Sequence, residues 1–254
     1  KNGSNFYEDN IFVKKINELN NNRLDSYYYS PIFEKIIKDI KSLKHSCLKL
    51  GEICEKVKIG KKESVGIFNG TTPAKDDYSE SQNDPKIVKV ASLKKSKVNL
   101  DLVEYVKPDI VSQKNIKDKD ILILSSAHQA EYLGRNPCIV NIPEELANED
   151  ITFVGELINV RVNKKIVNPY YLLQLFNTKN YYLLINREKR GQTSHLYPSD
   201  MKEILIPVPE DISIQNKNAD KYIEEFKKYE SLVSQAEKII EDNLINFEKD
   251  FFNS

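Results

Sequence analysis

The chain has 254 residues, 40% of them hydrophobic, with 38 Lys and Arg against 38 Asp and Glu. No apolar stretch approaches the roughly 18 residues that a bilayer span needs, and 14 Tyr with 10 Phe can build a core, so the reading is a soluble, folded protein. Three scattered cysteines fit a reducing cytoplasm better than a disulfide scaffold. Zero net charge argues against a nucleic-acid partner only until its distribution is read. Residues 31–135 carry 20 positive and 15 negative side chains, whereas residues 211–254 carry six and ten. A mildly basic body precedes an acidic tail.

In chain order, residues 1–30 form a polar, Asn-rich lead-in. Its apolar cluster, Ile11, Phe12, Val13, Ile16 and Leu19, suits a short helix. The chain starts at Lys1 and its single methionine is Met201, so a fragment or a processed product is expected; no signal-peptide pattern is visible. Ser30-Pro31 opens a helix with Pro at its first position, and Phe33, Ile36, Ile37, Ile40 and Leu43 follow at helical spacing. From Cys47 to Pro209 the pattern is one of strands and loops. Val88–Val90, Asp120–Ser125, Cys138–Val140, Thr152–Val154, Leu157–Val162 and Ile204–Pro209 are predicted strands, with alternation of period two over Leu157–Val162. One helix interrupts them, entered at Asn168-Pro169 and running to Phe176.

The tail differs. From Ser213 to Phe251 there is no Gly or Pro, and Tyr222, Phe226, Tyr229, Val233, Ala236 and Ile240 fall at alternating steps of four and three. After one stutter the stripe continues through Leu244, Phe247 and Phe251. This narrow seam predicts a coiled-coil helix of roughly 55–60 Å that needs a partner helix. The fold class is therefore α+β: a mostly-β domain over residues 31–210 with a few helices, then a long coiled-coil-forming C-terminal helix over 211–254.

Catalytic chemistry is not visible. No two glycines lie closer than four residues, so neither a dinucleotide fingerprint nor a P-loop exists. Asn168-Pro169-Tyr170-Tyr171 lacks the second proline of the adenine-methyltransferase tetrapeptide and reads as a helix start. His45, Cys47 and Cys54 lack a fourth partner for zinc, and Ser125, Ser126 and His128 lack a nucleophile elbow. No catalytic, cofactor-binding or metal-binding residue is assigned. What remains are basic, amide-rich loops. Lys56, Lys58, Lys61 and Lys62 precede Gly66; Lys86, Lys89, Lys94, Lys95 and Lys97 flank a strand; Arg187, Lys189 and Arg190 lead into Gly191-Gln192-Thr193-Ser194. Such side chains neutralise phosphates and reach base edges.

The order of these motifs resembles a target recognition domain of type I restriction–modification specificity subunits. Leu48–Ile53 resembles its opening strand and turn, Gly70-Thr71-Thr72-Pro73 its Gly-Thr-Pro loop, and Ile87–Leu93 a short strand and turn. Asp118–Ile123 is similar to its Lys-Gly-Asp-Ile-Leu strand start, with Lys119 where glycine is usual. Val167–Leu172 is similar to the mid-domain helix start, and Arg190–Leu196 with Ile204–Pro209 and Gln215 to the domain's close before a spacer helix. Arg23–Pro31 looks like the lead-in seen before such domains.

The resemblance covers about residues 23–251. It implies a non-catalytic module that reads double-stranded DNA for an N6-adenine methyltransferase, either a separate subunit or a methylase domain fused upstream. A restriction subunit and a second copy of the chain, joined through the C-terminal helix, are further partners it suggests. The candidate DNA-binding residues are Lys61, Lys62, Thr71, Thr72, Lys75, Lys94, Lys95, His128, Arg187, Lys189, Arg190, Gln192, Thr193 and Ser194. A complete specificity subunit has two recognition domains and two spacer helices; here there is one of each. Either this is a half-subunit that pairs with its copy, or it is the recognition part of a fused methyltransferase, which the missing start methionine favours. The rival reading is a protein-interaction adaptor assembled through its helix.

Overall fold

The computed structural model describes residues 12–19, 23–111, 114–191 and 194–252. In chain order the elements begin with α1 (Pro31–Lys41), β1 (Ser46–Lys49), α2 (Leu50–Ile53), β2 (Lys56–Ile59), β3 (Lys62–Val65), β4 (Ile67–Asn69), β5 (Tyr78–Ser79), β6 (Lys86–Val88), β7 (Leu93–Lys94) and β8 (Lys97–Val98). They continue with β9 (Val103–Val106), β10 (Ile121–Leu124), β11 (Cys138–Ile139), β12 (Ile151–Phe153), β13 (Leu157–Val160), α3 (Pro169–Phe176), α4 (Lys179–Arg187), α5 (Pro198–Met201), β14 (Leu205–Val208) and α6 (Ile212–Phe252). The chain is a mixture of helix and strand with a long C-terminal helix.

A six-stranded sheet in the order β4-β13-β10-β11-β8-β7 forms the centre. Its strand β10 is apolar without interruption because both of its faces are covered: Ile121, Leu122 and Ile123 have no exposed surface. Ile121 and Ile123 join a core built with Phe33, Leu172, Phe176 and Ile185 of the helices. Leu122 points the other way, into a second core with Ile87, Val88, Ile151 and Phe153 of a four-stranded sheet ordered β12-β6-β9-β5. β1 pairs antiparallel with β14, Ser46 opposite Val208, and so closes the body by joining its two ends. β2 and β3 form a hairpin of their own, turning at Gly60 with φ +62°.

The helix starts behave as their sequences dictate. α1 carries Pro31 at its first position and buries Phe33, Ile36 and Ile40. The side chain of Asn168 caps α3, accepting from the Tyr170 N–H at 2.9 Å. The predicted short helix near the N-terminus is reduced to one turn over Ile16–Glu18, with Val13 and Ile16 exposed; Ile11 lies outside the described residues. Around Val88–Val90, pairing ends at Val88 and residues Val90–Ser92 form a turn.

Two further expectations are corrected. Leu157–Val160 does not alternate between core and water, because β4 and β10 flank it and both faces are covered; all four residues are buried. The polar residues that suggested alternation, Asn159 and Arg161, are themselves inside. The apolar seam of the C-terminal helix is also not wholly in need of a partner. The first turns of α6 lie on the body: Gln215 and Ala219 are buried, and Tyr222 packs against the helical core. The Gln215 amide donates to the carbonyls of Ile166 and Pro209, and the Asn168 N–H donates to its oxygen at 2.9 Å. Only beyond Val233 does the stripe stand in solvent, with Ile240, Leu244, Phe247 and Phe251 about 60% exposed.

Arg161 ties the sheet together. Its Nε and one terminal nitrogen donate to the Asp120 carboxylate at 2.7–3.2 Å, and the same terminal nitrogen donates to the Asn115 carbonyl at 2.7 Å. Asp120 is 2% exposed and also accepts from the Lys117 N–H at 2.8 Å. Burial raises its pKa, opposed by the Arg161 charge and these hydrogen bonds. Beside it, Lys119 adopts φ +71°, the left-handed conformation that suits the glycine usual at this point of the resembling motif.

Two stability predictions follow from these positions. Arg161→Met leaves the Asp120 carboxylate buried and unpaired and should cost about 3–5 kcal/mol in urea unfolding; a loss below 1 kcal/mol would show the pair to be dispensable. Lys119→Gly relieves a left-handed residue that costs about 1–2 kcal/mol, partly offset by the greater chain entropy of glycine. It should raise unfolding stability by up to about 1 kcal/mol, and an unchanged or lower midpoint would refute the strain.

Candidate nucleic-acid interface

Four separate segments meet at one end of the central sheet. Asn69 ends β4, Thr72 follows it, Ser125 and Ser126 follow β10, Gly155 and Glu156 form the turn into β13, and His195 to Tyr197 arrive from the loop after α4. Together they line an open cleft of about 340 Å³. Backbone bonds fix the cleft. The Ser125 and Ser126 N–H groups donate to the Glu156 carbonyl at 2.8 and 3.2 Å, and the Leu196 N–H donates to the Ser125 carbonyl at 2.8 Å. The Asn69 amide donates to Ser125 Oγ at 3.2 Å and to the Gly155 carbonyl at 3.3 Å. Gly70 is needed for this closeness, since a Cβ there would stand 2.0 Å from the Phe153 carbonyl oxygen.

The predicted residues fall into three groups. The first lies on the segments that form the cleft, and Thr72 lines it. Thr72 is exposed on its wall; Thr71 is half-buried, its N–H donating to the Phe153 carbonyl at 2.8 Å; His128 is exposed in the loop that continues from Ser126; Ser194 is half-buried beside His195. Lys75 is exposed in the segment after Thr72. Gln192 and Thr193 lie outside the described residues.

The second group is the exposed β2–β3 hairpin. Val57 and Ile59 turn inward to the second core, while Lys56, Lys58, Lys61 and Lys62 are exposed, and Gly60 at the tip has open space around it. The sequence gives no strand signal here, because Lys alternates with only two apolar residues on one short strand.

The third group lies against other elements of the fold. Arg187, Lys189 and Arg190 do not form one basic loop held out to solvent. Arg187 ends α4; its Nε donates to the Tyr28 carbonyl at 2.9 Å and its guanidinium lies 3.8 Å from the Tyr28 ring centre. Lys189 sits 3.9 Å from the Tyr27 ring centre and donates to Asn186 at 3.1 Å. Burial lowers its pKa. Arg190 makes a forked pair with Asp200 and stacks near Tyr197. Lys94 and Lys95 face α6 instead of an open loop: both line the groove beneath it, and Lys95 meets the Tyr229 hydroxyl while Lys97 pairs with Glu230 at 3.2 Å.

What holds the stretch from Arg187 to Lys189 is a residue of the lead-in. Arg23 is 5% exposed, and its guanidinium donates to the carbonyls of Arg187, Glu188 and Lys189 at 3.0–3.3 Å, closing the C-terminus of α4. Its Nε also pairs with Asp25 at 3.0 Å. Glu188 lies 3.5 Å from Arg23 and 3.8 Å from Arg187, yet burial outweighs both cations and pushes its pKa up to about 7. Among the described residues no group of three His, Cys, Asp or Glu is placed to hold a metal. Cys54 and Cys138 are buried thiols, and burial pushes Cys138 up to about 12.

With this geometry the chain can be compared with known proteins. A solved structure that describes complex assembly and conformational transition of the type I restriction–modification system has a chain with a TM-score of 0.50 and 15% identity, matched over 87% of this chain and 50% of that one. The fold is that of type I specificity subunits. Two further solved chains are the HsdS subunit from Thermoanaerobacter tengcongensis and the S subunit of a type I system from M. genitalium. The first has 14% identity and a TM-score of 0.49, over 81% of this chain and 45% of that one. The second has 11% identity and a TM-score of 0.47, over 76% and 42%. This chain spans about half the length of the solved chains it matches. No protein-family model and no curated protein matches it.

The raised pKa of Glu188 carries a sign. Folding stabilises its protonated form, so that contribution is complete below the ordinary carboxylate range and is lost as pH rises through about 7. Glu188→Gln should remove a fall in stability of up to about 3 kcal/mol between pH 4.5 and 7.5. Parallel pH series of denaturant midpoints for the two proteins would sink the assignment.

Proposed function

We propose that the chain is the DNA-reading module of a restriction–modification system, presenting a target site to an N6-adenine methyltransferase and carrying no catalytic group of its own. One observation carries this reading. On a fold of the specificity-subunit type, loops from four distant segments converge on one open cleft that presents hydroxyl, amide, imidazole and carboxylate groups. Loops on a rigid scaffold can vary with the target while the sheet beneath them does not. Thr72 lines that cleft, Thr71 and Ser194 adjoin lining residues in sequence, and Lys75, His128, Gln192 and Thr193 are further DNA contacts on this reading. Lys61 and Lys62 stand on the hairpin as phosphate contacts. Arg187, Lys189 and Arg190 support the loop from behind.

The partners follow from the same reading. The duplex meets the loops, and the distal half of α6 takes a second helix, supplied by the methyltransferase, by a fused methylase domain or by another copy of this chain. A restriction subunit would join through the methyltransferase, in the cytoplasm. The adaptor reading has its own support in the apolar side chains exposed beyond Val233, including Phe247, Phe251 and Phe252 at 63–79%. It differs in expecting assembly without nucleic acid.

Duplex binding decides between them. Affinity for DNA should fall steeply from 50 to 200 mM salt through counterion release. Lys61→Ala with Lys62→Ala should weaken every sequence alike and lower the salt slope by about 2. Self-assembly or methyltransferase assembly with no duplex affinity at 50 mM salt would establish the adaptor instead.

A further inference from the structure

Glu156 is an unexpected side chain for a surface that meets phosphates. It is exposed on the wall of the cleft, and no described cation lies within ion-pair distance of its carboxylate. Lys89, the cation that feels its field, is already paired with Glu104 at 2.8 Å. Its backbone is held rigidly. The Glu156 carbonyl accepts three hydrogen bonds, from the Ser125 N–H at 2.8 Å, the Ser126 N–H at 3.2 Å and the Ser125 hydroxyl at 2.9 Å. The turn closes with the Leu157 N–H donating to the Val154 carbonyl at 3.1 Å. Gly155 lets Thr72 approach, since a Cβ there would stand 2.5 Å from Thr72 Oγ1.

A carboxylate carried on this fixed turn repels the DNA backbone and can only accept hydrogen bonds. It is tolerated in a duplex interface where a base offers a donor. In the major groove two exocyclic amines do so, and they are not equivalent to a carboxylate. Adenine places its N7 acceptor beside the N6 amine, where it opposes the second carboxylate oxygen. Cytosine places only a ring C–H beside its N4 amine. Around the carboxylate, the Thr72 and Ser126 hydroxyls can donate or accept and so leave the choice of base to Glu156.

We propose that Glu156 is a specificity-determining residue, accepting a hydrogen bond from the N4 amine of a cytosine in the target. This rests on the DNA-reading function proposed above and adds the base class that the cleft selects. The test is selection of bound duplexes from a randomised library by the full chain, as wild type, Glu156→Gln and Glu156→Ala. The wild type should recover a site with one invariant C·G pair. Glu156→Ala should relax that position alone, and Glu156→Gln should turn it towards adenine, which a glutamine amide reads through N6 and N7. Both variants should bind the wild-type site about tenfold or more weakly, with unchanged melting temperatures, because among the described residues the fold uses the backbone of Glu156 and not its carboxylate. The same selected site from all three proteins, or relaxation at a position that is not cytosine, would overturn the assignment. A wild type that recovers no common site would instead overturn the DNA-reading function itself.

Discussion

The buried pair between Arg161 and Asp120 is the interaction on which the central sheet turns. Arg161 follows β13, and Asp120 precedes β10, the strand beside it. The Arg161 backbone reaches further: its N–H donates to the Gly66 carbonyl at 2.7 Å, and its carbonyl accepts from the Glu55 N–H at 3.0 Å. The side chain of Arg161 thus joins β13 to the start of β10, while its backbone joins the same point to the segments before β4 and β2. A slip of one residue would invert every side chain of a strand whose two faces enter different cores. Desolvating two charges is costly, and a buried pair does little for net stability compared with apolar residues. The pair lies at the end of the β10–β13 ladder opposite the cleft, and the register of that ladder, with Leu124 opposite Leu157, brings Ser125 and Glu156 together as two sides of the cleft.

Charge is organised by the same logic of internal engagement. Arg23 closes the C-terminus of α4 and, with Arg187, lies within about 4 Å of the Tyr28 ring centre. Those cations tie the lead-in to the back of the loop that reaches the cleft. The acidic tail touches the basic body at its root, where Lys97 pairs with Glu230. What remains exposed and basic is the β2–β3 hairpin and scattered lysines.

The helix α6 combines two kinds of surface on one continuous rod of 41 residues. Up to Val233 its apolar stripe is covered by the body and by stacking among Tyr222, Phe226 and Tyr229. Beyond that point the same periodicity continues with no described residue covering it. The rod is therefore anchored at its root on the body and presents an exposed apolar stripe along its distal half.

Local chemistry determined much of this protein from the sequence alone. Ser30-Pro31 and Asn168-Pro169 start helices because proline supplies its fixed φ where no N–H partner is needed, and the unbroken apolar run Ile121–Leu124 makes a buried strand. The heptad-like tail makes a long helix, and Lys119 in place of glycine marked a position that the backbone holds at φ +71°. Only the tertiary structure decided which charges are free. Arg187, Lys189 and Arg190 are neighbours in a basic stretch, but Tyr27, Tyr28 and Asp200, far away or on another element, engage them. It also decided that Asn159 and Arg161 are inside, and that Asn69, Ser126, Glu156 and Tyr197 share a cleft with Thr72. Helix starts and strand hydrophobicity are set by neighbours in sequence. The fate of a charge and the composition of a cleft are set by contacts between residues tens to more than a hundred positions apart, and no local pattern records them.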